Sequence, residues 1–161
     1  MLSDETTIGS YPIETVTCMA DICENAEAYY NYERKFNVKW VSNVTETIAK
    51  SVVSASDNIG AKVIVAATMS GRTARKISNL KPKALILATV PDAKIARSLA
   101  LNYAVYPVLV KEYSNTDEIV NDGVEKAREF IKLNKGDNII ITGGFPNTGV
   151  KTTNFMKIEE I

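Results

Sequence analysis

The chain has 161 residues, of which 45% are hydrophobic and 24% are charged, and its 19 basic and 19 acidic side chains balance. This length fits one domain, or one domain with an attached segment. Zero net charge argues against broad electrostatic binding to nucleic acid, which needs a basic surface. The sequence has no histidine, which excludes catalysis by a histidine base and histidine-containing metal sites.

The first part of the sequence contains one predicted helix. Pro12 marks its start, because a proline in the first turn loses no helical hydrogen bond. Apolar and small residues then recur at three- and four-residue spacing as far as Tyr30: Ile13, Val16, Ala20, Cys23 and Ala26. Cys18 and Cys23 are too few for a four-thiolate zinc site. We expect them to be small, buried or half-buried thiols in a reducing compartment.

The sequence contains no predicted membrane-spanning segment and no predicted signal peptide. No segment approaches the roughly 20 apolar residues that a bilayer span needs. Residues 1–5 lack the basic and apolar regions of a signal peptide. We therefore expect a soluble, cytoplasmic protein with no membrane partner.

From Asn43 onwards, helical patterns alternate with short apolar runs. A helix capped by Ser42 or Asn43 is predicted to end at Gly60, and a long helix begins near Asn115. Buried strands are predicted at 62–67, 84–89, 105–110 and 138–142, with a last, alternating strand at 153–159. A short helix is predicted after the 68–73 loop and ends at about residue 79, and further helices are predicted at 92–100 and 115–133. Pro107 cannot donate to a ladder, so it indicates either an edge strand or the end of a strand.

Buried strands separated by helices predict an α/β fold. The expected architecture is a three-layer α-β-α domain with a mainly parallel, five-stranded sheet. The last connection is too short for a crossover helix, so the final strand should be antiparallel. This domain is predicted over residues 42–161, and residues 1–31 belong to a separate part.

The loop after the first strand is a candidate anion site. Glycine lets main-chain N–H groups approach a ligand, and the following helix start offers unpaired donors. Hydroxyls and one cation add to them; the candidate residues are Thr68, Ser70, Gly71, Arg72 and Thr73. The alternative is a plain helix start, with Ser70 as the cap and Thr73 exposed.

A second loop follows the fourth strand. In an open parallel sheet, ligands bind beyond the carboxyl ends of the strands where the strand order reverses, so both loops should face one crevice. Thr89, after the second strand, should border the same crevice. This second loop could close over a ligand, or it could be a simple hairpin connection; its residues are Gly143, Gly144, Phe145, Pro146, Asn147, Thr148 and Gly149.

No loop offers a carboxylate pair or a nucleophile beside a base. We therefore predict no catalytic residue and no metal site. The acids of the long helix, Asp122, Glu125 and Glu129, fit a solvated helix face. Asp57, Asp92 and Asp117 fit helix ends.

Ordered segments along the whole chain resemble the pyruvate kinase family. Met1–Thr6 and Gly9–Glu14 resemble its MLSGETA-x-G-x-YP-x-E stretch, although Asp4 replaces a glycine. Thr68–Ala74 resembles its T-x-S-G-[RT]-[ST]-A segment. The remaining segments resemble its R-P-x-A-P-I-I strand entry, its G-[VI]-[YF]-P-[VL] strand and its closing loop: Lys81–Ala84, Ala104–Val108, Thr142–Pro146 and Thr152–Asn154.

The resemblance implies that residues 1–31 are the last strand end and helix of a (β/α)8 catalytic domain. Residues 42–161 then correspond to the C-terminal regulatory domain. The family's enzymes transfer phosphate from phosphoenolpyruvate to ADP, using Mg²⁺ (or Mn²⁺) and usually K⁺. Their phosphoryl-transfer lysine, metal carboxylates and substrate arginine precede the segment present here. We therefore expect the chain alone to be inactive and to hold no cofactor.

In this family the 68–73 loop holds the phosphate of an allosteric effector, and the 143–149 loop folds over it. Asp117 stands near the position of an arginine that binds a second phosphate in some members. The resemblance therefore implies a monophosphate effector, a sugar phosphate or AMP. It also implies a homotetramer in the parent enzyme, with the rest of the pyruvate kinase chain as a partner.

The helix at 11–30 would then lack the barrel against which it packs, so we expect self-association of the chain. Two alternatives remain open at this point. One is a stand-alone phosphate-binding domain, or a small enzyme acting on a phosphorylated metabolite. The other is a domain that serves only subunit contacts.

Overall fold

The computed structural model describes residues 1–29, 43–144 and 152–161. The chain divides into two compact units, Met1–Arg34 and Lys35–Ile161. The predicted boundary, between residues 31 and 42, lies outside the described residues.

The first unit contains a short 3-10 helix, Asp4–Thr6, and helix α1, Pro12–Ala28. Pro12 occupies the first turn of α1, as predicted. No residue of α1 is buried. Cys18 and Cys23 are therefore exposed, and the prediction of buried or half-buried thiols is wrong. The spacing of apolar residues indicates which face of a helix is apolar, but it does not show that another element packs against that face.

The second unit is built on a five-stranded sheet. The strands are β1 (Val63–Ala67), β2 (Leu85–Val90), β3 (Val105–Leu109), β4 (Asn138–Gly143) and β5 (Phe155–Glu160). Their order is β3-β2-β1-β4-β5, with parallel pairing throughout except between β4 and β5, which are antiparallel. The predicted α/β fold is confirmed, and β3 with its Pro107 lies at an edge.

Helices cover both faces of the sheet. They are α2 (Val44–Ile59), α3 (Arg72–Asn79), α4 (Ala93–Leu99) and α5 (Thr116–Phe130). Successive strand residues point to opposite faces, so Ile64 packs in the core under α2, α3 and α4 while Val65 packs in the core under α5. One apolar cluster lies on each face of the sheet, between the sheet and the helices, so the domain has the three predicted layers of helix, sheet and helix.

The helix ends follow local chemistry. The side chains of Asn43, Asp92 and Asn115 accept hydrogen bonds from main-chain N–H groups at the starts of α2, α4 and α5. Gly60 ends α2 in the left-handed conformation, at φ 63°, where glycine has no steric penalty.

Several predicted boundaries are off by two or three residues; helix α1, for example, ends at Ala28 rather than at Tyr30. Helix α5 ends at Phe130 rather than at 133, since Ile131 is already extended, and β5 begins at Phe155 rather than at 153. Among the described residues, no helix is long and apolar enough to cross a membrane.

Candidate functional site

The site lies where the strand order reverses, between β1 and β4. The chain leaves β1 towards α3 and leaves β4 towards β5, and the last residues of β1 and β4 are neighbours. A Cβ atom on Gly143 would lie 3.2 Å from the Cβ of Ala67 and 3.2 Å from the ring of Phe155. Glycine thus lets the start of the 143–149 loop sit directly beside the end of β1.

The 68–73 loop folds around a left-handed glycine. Gly71 has φ 77° and immediately precedes α3. Its N–H donates to the hydroxyl oxygen of Thr68 at 3.1 Å, and the Thr68 N–H donates to the Thr89 carbonyl at 3.1 Å. The alternative in which Ser70 caps the helix is wrong, because Gly71 occupies the cap position and α3 has no side-chain cap hydrogen bond.

The first turn of α3 therefore offers main-chain donors. The N–H groups of Arg72, Thr73 and Ala74 have no acceptor within the helix, and the helix dipole places a partial positive charge there. Ser70 and Arg72 are exposed beside them. Such an arrangement favours an anion.

Thr73 joins the start of α3 to the segment before β5. Its side chain is buried, and its hydroxyl lies 2.5 Å from the hydroxyl of Thr153, which is also buried. The alternative with Thr73 exposed is therefore wrong. The contact holds the start of α3 against the segment that enters β5.

A cleft of about 510 Å³ opens beside Arg72, between the start of α2 and one side of α3. Lys76 donates to a carboxylate oxygen of Glu46 at 2.7 Å across it. This hydrogen bond lowers the pKa of Glu46 below its usual value. The residues around the cleft are mainly polar: Asn43, Val44, Thr45, Glu46, Arg72, Lys76 and Thr152.

Arg75 is a site residue that the sequence analysis missed. Its guanidinium donates to the Ser70 carbonyl at 3.1 Å and to the Ser98 hydroxyl of α4 at 2.8 Å. The signal in the sequence that could have identified Arg75 is its position one helical turn after Gly71, at the start of α3. Its partner on α4, 23 residues further along the chain, could not be read from spacing.

The remaining predicted residues divide into three groups. Gly143 is buried at the end of β4 and Gly144 is half-buried next to it, whereas Phe145, Pro146, Asn147, Thr148 and Gly149 lie outside the described residues. Thr89 reaches the crevice only through its carbonyl, because its side chain is buried within β2. Asp117 lies in the first turn of α5, on the other face of the sheet from α3.

One predicted surface acid is not fully solvated. Asp122 is half-buried and accepts a hydrogen bond of 2.5 Å from the Tyr113 hydroxyl. Burial and this contact raise the pKa of Tyr113 well above its usual value of 10.0. Tyr113 thus fastens the loop after β3 to α5. Glu125 and Glu129 are exposed, as predicted.

Within the described ranges, no three acidic or cysteine side chains come together in a way that could hold a metal ion. The geometry that does stand out is the helix start at α3 and the hydroxyls around it. This geometry suits the binding of an oxyanion.

The strand order, with two loops at adjacent carboxyl ends, defines a doubly wound α/β domain, a class of fold in which ligands commonly bind at the switch point. Residues 46–159 match the family model described as "Pyruvate kinase, alpha/beta domain". The chain therefore belongs to the pyruvate kinase family and contains its C-terminal alpha/beta domain.

The chain is 39% identical over 166 residues to a pyruvate kinase of Clostridium acetobutylicum. It is 41% identical over 166 residues to one of Lactobacillus delbrueckii subsp. bulgaricus. These matches take in all of this chain but only 35% and 28% of the two relatives.

A crystal structure of a pyruvate kinase from Cryptosporidium parvum has a similar fold, with a TM-score of 0.83 and 30% sequence identity. That match covers 99% of this chain and 32% of the other. The chain thus spans about a third of the length of the relatives that it matches.

Proposed function

We propose that this chain is the regulatory and oligomer-contact part of a pyruvate kinase and binds a phosphorylated allosteric effector at the 68–73 loop. The parent enzyme transfers the phosphoryl group of phosphoenolpyruvate to ADP. The observation that carries the proposal is the start of α3, where unpaired main-chain donors, hydroxyls and Arg72 lie together at the switch point.

The chemistry of the loop favours a phosphate. The Thr68 hydroxyl oxygen already accepts the Gly71 N–H, so its own proton is available to a further acceptor. Ser70 and Arg72 are exposed, and a guanidinium suits a phosphate because it presents several N–H donors in a fixed plane. The Thr73 hydroxyl can accept from Thr153 while donating to the anion.

The cleft beside Arg72 leaves room for the body of an effector. It measures about 510 Å³, and although most of its exposed wall is apolar, hydroxyl, amide and charged side chains lie around it and could contact a sugar phosphate or the ribose of AMP. On this proposal the effector shifts the equilibrium of a homotetrameric parent enzyme, because it binds one of that enzyme's states more tightly than the other.

The rest of the pyruvate kinase chain supplies catalysis on this proposal. Residues 1–31 are the last strand end and helix of its (β/α)8 domain. Mg²⁺ or Mn²⁺ and K⁺ would bind to the part of the parent enzyme outside this chain, and the divalent ion would supply charge stabilisation for phosphoryl transfer there. The residues of this chain hold the effector phosphate and take no step in the transfer.

The proposal is tested by titration calorimetry with glucose 6-phosphate, ribose 5-phosphate and AMP. We expect at least one to bind, and we expect Ser70→Ala with Thr73→Ala to weaken that binding by tenfold or more. Two charge-assisted hydrogen bonds are then lost, each contributing about 1.5 kcal/mol or more.

Thr153→Ala is the matched control. It breaks the same buried hydroxyl pair but keeps every side chain of the 68–73 loop, so its affinity should stay within about threefold of the wild type. Binding that survives the double substitution unaltered would place the effector elsewhere. A wild-type chain that binds none of the three ligands contradicts the proposal.

A further inference from the structure

Arg75 makes a two-sided contact that the effector proposal does not use. Its guanidinium is half-buried and bridges the Ser70 carbonyl, at 3.1 Å, and the Ser98 hydroxyl, at 2.8 Å. Ser98 in turn donates to the Ile95 carbonyl at 2.8 Å. The arginine therefore connects the 68–73 loop to α4 through a continuous chain of hydrogen bonds.

These contacts fix one peptide plane at both ends. The carbonyl of the Ser70–Gly71 peptide accepts from Arg75, and its N–H donates to the Thr68 hydroxyl. A peptide group is planar, so holding both ends sets the direction of the chain as it enters α3. The direction of the following N–H groups, from Arg72 to Ala74, depends on that plane.

Packing adds to the hydrogen bonds. A Cβ atom on Gly71 would lie 3.1 Å from the guanidinium of Arg75 and 3.1 Å from the side chain of Leu99. The guanidinium thus lies directly over the left-handed glycine, whose φ of 77° other residues rarely adopt. Arg75 and Leu99 together cover the turn from the side of α4.

The N–H and C=O of a trans peptide point in opposite directions, so the Gly71 N–H faces the Thr68 hydroxyl while the Ser70 carbonyl faces Arg75. The hydrogen bond from the Arg75 guanidinium offsets part of the negative charge on the Ser70 carbonyl oxygen and holds that oxygen in place. The same group brings a positive charge to the loop without using the donors that face a ligand. Arg75 therefore acts on the phosphate through the loop and not by contact.

We infer that Arg75 is a positioning residue of the phosphate site, which holds the Ser70–Gly71 peptide so that the first N–H groups of α3 and the Thr68 hydroxyl converge on one oxyanion. The inference rests on the proposed effector function. The Arg75–Ser98 contact joins α3 to α4. On this inference it also raises the affinity of the site for phosphate.

The test uses Arg75→Lys, which keeps the charge but cannot bridge two acceptors with a planar fork. With glucose 6-phosphate as the probe in calorimetry, we expect a three- to tenfold weaker affinity. Ser98→Ala removes one anchor of the arginine and should weaken binding by two- to threefold. Arg97→Lys is the matched control, since it makes the same exchange on an exposed arginine of α4 and should stay within twofold.

A second readout needs no ligand. The Gly71 amide is protected by its hydrogen bond to Thr68, so its hydrogen exchange should accelerate in Arg75→Lys and in Ser98→Ala, and stay unchanged in Arg97→Lys. This measurement keeps the inference testable through Ser98→Ala if the arginine variant does not fold.

The outcomes separate the two proposals. If the wild type binds glucose 6-phosphate and Arg75→Lys binds it equally well, the inference is wrong and the proposed function stands. If the wild type binds no phosphate ester, the proposed function fails and the role given to Arg75 fails with it. Faster Gly71 exchange without any loss of affinity also overturns the inference.

Discussion

Single hydroxyl groups hold the loops of this domain in place. The Thr142 hydroxyl donates to the Phe155 carbonyl at 2.7 Å, and the Ser78 hydroxyl donates to the Tyr103 carbonyl at 2.7 Å. The Thr73–Thr153 pair joins residues 80 positions apart. Sequence reading identified a hydroxyl-rich loop at 68–73, but it could not find these partners, because the pairing depends on which strand ends become neighbours in the sheet.

Tyr113 gives a prediction at this scale. Burial raises its pKa, so the unfolded chain releases the tyrosine proton near pH 10 while the folded chain keeps it. The stabilisation by the Tyr113–Asp122 contact is therefore complete below about pH 10 and is lost as the pH rises towards the folded pKa. The loss should stay well below the roughly 1.4 kcal/mol per pH unit of a fully buried group, because Tyr113 is only half-buried.

Denaturant unfolding of the wild type and of Tyr113→Phe, at pH 8, 9, 10 and 11, checks this. At pH 8 the variant should be less stable by about 1 kcal/mol, the usual contribution of one hydrogen bond. That difference should shrink above pH 10. A difference that stays constant from pH 8 to 11 would show that the tyrosine proton does not contribute.

The elements themselves were largely predictable. Near-continuous apolar runs located the first four strands, alternation located the fifth, and helix caps located the helices of the second unit, because burial and capping are local signals. The exact ends of α5 and β5 were not, since Ile131 continues the apolar pattern although its backbone has left the helix. The exposure of α1 was not predictable either, because the apolar stripe of a helix does not show which element, if any, packs against it.

Helix α1 gives the prediction at the element scale. Its exposed side chains include Ile13, Val16 and Ile22, and an apolar stripe of this kind tends to bury itself against another chain. We expect light scattering of the purified chain to give a mass above that of a monomer, rising with concentration.

Val16→Lys with Ile22→Lys should lower that mass, because charges on the stripe oppose its burial. Thr17→Lys with Glu24→Lys is the control, since both positions are exposed and polar on the same helix. Equal masses for the two variants, or a monomeric wild type at all concentrations, would argue against association through α1.

At the scale of the whole molecule, the chain spans about a third of its pyruvate kinase relatives. On the proposal above, the rest of the pyruvate kinase chain supplies catalysis, and phosphoryl transfer in general relies on metal ions and positioned cations. We therefore expect the purified chain to lack the activity of the whole enzyme.

A lactate dehydrogenase-coupled assay tests this last prediction. Purified chain supplied with phosphoenolpyruvate, ADP, Mg²⁺ and K⁺ should oxidise NADH at the rate of the blank. A full-length pyruvate kinase in the same buffer is the positive control. Turnover above the blank, which scales with the amount of chain and survives repeated purification, would mean that catalytic groups are present.

The place of β1 in the sheet has one more consequence. All five of its residues are buried, and it has a neighbouring strand on each side. Backbone in such a position opens to solvent least often in a folded domain. A ligand bound at the carboxyl end of β1 would therefore lie beside backbone that seldom opens. Any effect of its binding on distant residues would pass through side chains and loops and not through movement of β1.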